Sequence, residues 1–141
     1  MIHKIGIAAL SAGLIAQALK VIIELVKTRR LNMLRILDNG GMPSSHTALV
    51  TTLAVGVGVY TGMDSSIFSV TLIFSLYFIF EAAGLRQEVG NQAKVLNDIV
   101  DGMRTTHHLD RSRLKELVGH TWGEVLGGLL LGLLIAYLFY W

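Results

Sequence analysis

His46 closes the run Pro43-Ser44-Ser45-His46 inside GGMPSSHTALV, which holds the chain's one proline. Gly40 and Gly41 permit a tight turn, and Pro43 suits the first turn of a helix. The N–H groups around Ser44, Ser45 and His46 would then project from a helix start, which is a ready site for an anion. The same PSS run also reads as a proline-started helix with serine caps. A second cluster lies in GHTWGEVLGGLLLG, where His120 and Glu124 stand four apart and would share one helix face. A carboxylate holding one imidazole nitrogen fixes the tautomer and leaves the other nitrogen to attack or to bind a metal. Gln17, Lys20, Glu24 and Lys27 form a polar stripe at helical spacing in an otherwise apolar run, with Lys20 either paired to Glu24 or aimed at a ligand. Arg86 follows FEAAGL at the end of another apolar run, and Glu81 just before it needs a partner such as Arg86 or Lys20. Two histidines, a carboxylate, cations and a helix N-terminus suit phosphoryl transfer, where positioning and charge neutralisation supply most of the catalysis.

The elements that must bring these residues together are helices in a membrane. The chain has 141 residues, 52% apolar and 16% charged, against about 25% charged in ordinary soluble domains. We expect one all-α membrane domain over 1–141, a four-helix bundle with spans at about 5–26, 46–61, 66–85 and 122–141. The second span is short and rich in glycine and threonine, so it is borderline alone. Nothing resembles a cleavable signal peptide, because 5–26 is too long for an h-region and lacks an A-x-A-like site. With four spans, the termini and the turn at 62–65 share one side. Of the 12 lysines and arginines, Lys20 lies inside a span, Lys4 falls on the terminal side, and the rest fall on the side of the two longer loops. The positive-inside rule therefore places the loops in the cytoplasm and both termini outside.

In the loop 86–119, Val89, Ala93, Leu96, Val100 and Met103 recur every three or four residues, the pattern of an amphipathic helix on the membrane surface or against the bundle. Asp110 is a candidate N-cap for a short helix ended by Gly119. A net charge of +2 gives no case for a nucleic-acid partner. The absence of cysteine excludes disulfides and thiolate chemistry. Gly127, Gly128 and Gly132 offer a small-residue face on which at least a dimer could form.

Three stretches, GGMPSSHTALVTTLA, EAAGLRQEVGNQAKVLN and LKELVGHTWGEVLGGLLLG, resemble the divergent branch of membrane proteins related to type 2 phosphatidic acid phosphatase and vanadium-dependent haloperoxidase. The resemblance runs from about Gln17 to Gly132. The parent signatures are KxxxxxxRP, PSGH and SRxxxxxHxxxD. Pro43 to His46 match the second with serine in place of glycine, and His120 and Glu124 match the end of the third with glutamate in place of aspartate. The resemblance implies that His120 is the nucleophile, Glu124 orients it and His46 is the general acid. Lys20 fits the first signature, where Lys27 and Thr28 replace its RP, so that Arg29 or Arg30 would supply the guanidinium. Arg86 would replace the arginine of SR, making 87–119 largely an insertion.

The implied function is hydrolysis of a lipid phosphomonoester or pyrophosphate through a phosphohistidine. Lys20, Ser44, Ser45, Arg86 and Arg30 would hold the phosphate, without metal or other cofactor. The alternatives are a non-catalytic lipid-phosphate binder or transporter with the same cradle, a metal or vanadate site at His46, His120 and Glu124 with His107 and His108 nearby, and a purely structural bundle.

Overall fold

The computed structural model describes residues 2–29, 41–104 and 121–141, with side chains described for 4–29, 41–81, 92–101 and 121–141. These residues form four helices and no strand: α1 (Ile2–Thr28), α2 (Ser45–Thr61), α3 (Ser66–Arg104) and α4 (Trp122–Tyr140). The expected all-α class holds. Two segments, Lys4–Thr28 and Trp122–Tyr140, are long and apolar enough to cross a membrane, and Ser66–Glu81 is a shorter apolar helical stretch.

The shortest of the four helices sits at the centre. α2 packs against α1, α4 and α3, while α3 and α4 barely meet. Thr47 and Thr52 on α2 are fully buried, and the Thr52 hydroxyl donates to Ala48 O and Gly132 O, both at 2.9 Å. Enclosure by protein lets Thr52 reach a carbonyl of a second helix, whereas Thr71 on α3 bonds back to Ile67 O of its own helix. The outward surfaces are apolar instead: Leu14 on α1, Ile73 on α3 and Leu138 on α4 are 70%, 67% and 65% exposed, a distribution suited to lipid rather than water.

Small residues let the helices approach closely. Ala8, Ala12 and Ala16 on α1, Ala48 on α2 and Ala136 on α4 are all buried, and Ala12, Ala16, Ala48 and Ile135 form one cluster. The Gly128 and Gly132 face is therefore covered by α2 of the same chain, contrary to its expected use between copies. A Cβ on Gly132 would lie 2.7 Å from Ala48 O and 2.8 Å from Thr51 Cβ. Gly127 faces Met42 and Pro43.

A second correction concerns α3. The helix does not end near residue 85. It runs unbroken for 39 residues, about 58 Å at 1.5 Å per residue, and absorbs the amphipathic segment expected as a separate surface helix. Nothing in 82–104 forces a break, since the chain's one proline is Pro43. Its rotation is set by the apolar half, where Ser75 is buried against α2 with Oγ donating to Val50 O at 3.2 Å and Thr71 O at 2.7 Å. Ala93 lies five turns further on, at 3.6 residues per turn, and is buried with Asn97. Leu96, expected on the same apolar stripe as Ala93, is 49% exposed, because the face that continues from Ser75 runs through Ala93 and Asn97.

The chain termini and the α2–α3 turn share one end of the molecule. Lys4 Nζ lies 5.9 Å from the centroid of the Tyr60 ring, Tyr60 meets Tyr140 edge to face at 5.7 Å, and the Tyr140 hydroxyl donates to Thr52 O at 3.5 Å. Gly62, at φ +86°, ends α2 with its N–H on Gly58 O, and Ser65 Oγ accepts from Phe68 N to start α3. Lys20, Ser44, Ser45, His46 and Glu124 are toward the other end.

Candidate functional site

The site is built where the start of α2 meets the C-terminal third of α1 and the start of α4. Ser44 caps α2: its backbone is extended and its Oγ accepts from Thr47 N at 3.3 Å and Thr47 Oγ1 at 3.0 Å. Pro43 thus precedes the cap and is not in the helix's first turn, as its sequence context suggested. Serine takes the N-cap because its short hydroxyl reaches the orphan N–H groups there, which proline does not. The chain arrives through Gly41 at φ +100° and a cis Met42–Pro43 peptide.

Two contacts fix this helix start against its neighbours. Ser44 N donates to the Glu124 carbonyl of α4 at 2.9 Å, and the backbone can come that close because Gly128, one turn below, has no side chain to meet the Ser44 carbonyl. From α1, Lys20 Nζ donates to Ser45 Oγ at 3.4 Å. Lys20 is only 2% exposed. The stripe on α1 is graded: Gln17 and Glu24 are half-buried and Lys27 is exposed. The ammonium and the positive end of the α2 dipole therefore point to the same place, an arrangement that favours an anion.

The remaining expected residues divide. His46 is exposed on the first turn of α2 and lines a cleft between α2 and α3. Glu124 is half-buried and serves a capping box: Thr121 N donates to Glu124 Oε2 at 3.1 Å, and Glu124 N donates to Thr121 Oγ1 at 3.3 Å. α4 begins at Trp122 with Thr121 as its N-cap, so Glu124 is the third helical residue, and its expected pairing with His120 lies outside the described residues. His120 itself, Arg30, His107 and His108 lie outside the described residues, as does the short helix expected after Asp110. Arg86 lies within α3, outside the described side chains. Among the described residues, no group of three or more His, Cys, Asp or Glu could hold a metal ion.

Two participants were missed by motif reading. Thr47, fully buried beside Ser44, completes the hydroxyl pair of the cap. Thr121 was legible as the first residue of T-x-x-E, a capping-box signature. Ser44→Ala removes a buried cap and is expected to lower stability by about 1–2 kcal/mol, read as an earlier unfolding midpoint in detergent.

The family described as "Divergent PAP2 family" matches residues 2–135. The uncharacterized membrane protein YuiD of Bacillus subtilis (strain 168) is 38% identical over 148 residues, covering 94% of this chain and 94% of the relative. No solved structure matches. With a family match over nearly its whole length and a membrane-protein relative of the same extent, the chain belongs to the Divergent PAP2 family.

Proposed function

We propose that the protein is an integral membrane phosphatase that hydrolyses a lipid phosphate, with four spans, its site on the cytoplasmic side and both termini outside. The observation that carries this reading is the buried Lys20 ammonium on Ser45 at the N-terminus of α2. An ammonium buried in a helix of membrane-crossing length is costly to desolvate, and such residues mark functional sites by default. Here it converges with a helix N-terminus on a position where a phosphate would be doubly neutralised. Membership of a phosphatase-related family supports the same chemistry.

In the proposed reaction His120 attacks phosphorus, forming an N–P bond as the bond to the lipid oxygen breaks, and His46 gives that oxygen its proton. His46 then takes a proton from water as the water attacks the phosphohistidine, releasing phosphate and regenerating the imidazole. Lys20, Ser45 and the first-turn N–H groups of α2 hold the phosphoryl oxygens, with Arg86 and Arg30 completing the cradle. Ser44 contributes through the helix start that it caps.

Phosphate release from a panel of lipid phosphates by the purified protein, beside His120→Ala and His46→Ala, tests the reading. The expected result is release by the wild type and loss in both variants. Binding without release, unaffected by His120→Ala, would instead establish the non-catalytic binder or transporter. Glu124→Gln separates this residue's two roles. Glutamine also closes a capping box, so stability should stay within about 0.5 kcal/mol of wild type, whereas release should fall if the carboxylate orients His120.

A further inference from the structure

The cleft that His46 lines is not polar beyond its mouth. It has a volume of about 390 Å³ and is walled on α2 by His46, Leu49, Val50 and Leu53 and on α3 by residues that include Val70, Thr71, Phe74, Ser75 and Phe78. The two polar residues of the α3 wall have their hydroxyl protons committed to backbone: Thr71 Oγ1 donates to Ile67 O at 2.8 Å, and Ser75 Oγ donates to Val50 O and Thr71 O. The lining therefore offers carbon. His46, Leu49, Val50 and Leu53 form an i, i+3, i+4, i+7 stripe, so the cleft extends along α2 for about 10 Å, the rise of seven residues.

We propose that this cleft seats a hydrocarbon chain of the lipid whose phosphate lies in the Lys20–Ser45 cradle. The inference rests on the cradle reading and adds the part of the substrate that is recognised beyond the phosphate. Two features select this occupant. One end of the cleft is lined by His46, the residue after Ser45, so a phosphate at the helix start would leave its attached chain beside the mouth of the cleft. Charge complementarity fixes the polarity: the cationic end lies at the start of α2, and carbon lines the cleft from there toward the middle of that helix. A chain leaving bilayer for cleft gains little hydrophobic free energy, since lipid tails are as apolar as the walls. Its gain is packing and position, which hold the phosphate ester in register with His46. A free phosphate or a short-chain ester would use the cradle alone.

The test is photo-crosslinking with dodecyl phosphate carrying a diazirine at the chain end, beside the corresponding diazirine dodecanol, with adducts mapped by mass spectrometry on the wild-type protein in lipid nanodiscs. The expected result is phosphate-dependent labelling concentrated on Leu53, Val70 and Phe74. Val70→Trp fills the cleft from a position that is 56% exposed, and should reduce that labelling about tenfold through overpacking. Ile73→Trp, on the outer surface of the same helix, should not. Butyl phosphate should bind both variants as it binds wild type. Adducts spread over the outer faces of α1 and α4, or labelling indifferent to Val70→Trp, would overturn the cleft proposal while leaving the cradle intact. Equal labelling of the cleft by phosphate and alcohol probes would overturn the cradle reading, and with it the link between the two.

Discussion

Lys20→Met is expected to weaken lipid-phosphate binding by about one to two orders of magnitude, the range for loss of a charge-assisted hydrogen bond of about 1.5–3 kcal/mol. Methionine keeps the unbranched stem that is buried in α1 and removes only the ammonium. The loss should be large because Lys20 is almost wholly enclosed, where screening by solvent and salt is weak. Ser45→Ala, which removes the lysine's hydroxyl acceptor, should produce a smaller loss. The two changes should also be non-additive, because residues in one hydrogen-bonded unit couple by about 0.5–3 kcal/mol. Binding of a short-chain alkyl phosphate by calorimetry, with all four members of the cycle checked for an intact unfolding transition, measures this. Independent, additive losses would mean that Lys20 and Ser45 do not share a ligand.

The second large effect is on folding. Gly132→Ala adds one carbon, yet that carbon meets the Ala48 carbonyl and Thr51 Cβ. A backbone carbonyl cannot rotate aside, so α2 and α4 must separate, at a cost of about 1–3 kcal/mol or more. Their separation also lengthens the bonds from Thr52 to Gly132 O and from Ser44 N to Glu124 O. Gly6→Ala is the control: a Cβ there has no neighbour within 4 Å, and better helix propensity should raise stability by up to about 1 kcal/mol. Unfolding midpoints in detergent should therefore move in opposite directions. A Gly132→Ala protein as stable as wild type would contradict the close helix contact.

How much of this was legible depended on whether a residue acts along one helix or between helices. Lys20 was visible as a cation at helical spacing in an apolar run, and its burial follows from the cost of exposing it to lipid. The α2 start was visible in PSSH, but proline at the first helical position and serine at the cap are both good local solutions. The packing of Ser44 on α4 decides between them. Likewise His120 and Glu124 stand four apart whether or not a helix joins them. T-x-x-E competes for the same glutamate, and Thr121 wins the helix start. The continuation of α3 past residue 85 was not legible because Arg86 marks where the side chains become polar, whereas a helix ends only where its backbone bonds are interrupted. The glycines of α4 announced close contact without naming the partner, since a small-residue face fits an internal helix as well as a second copy.

The joint between Ser44 N and the Glu124 carbonyl runs from main chain to main chain. Ordinary side-chain replacement at 44 or 124 leaves both of its atoms in place; only proline at 44 deletes the donor. The mutational tolerance of the region should accordingly be asymmetric. Over evolutionary drift, the half-buried side chain at 124 can be exchanged while the frame survives, the buried cap at 44 admits only small residues, and the bare backbone of Gly128 that lets the frame close has no substitute. A saturation library scored for folded protein should show that contrast as a broad palette at 124, a short one of small capping residues at 44 and a nearly empty one at 128.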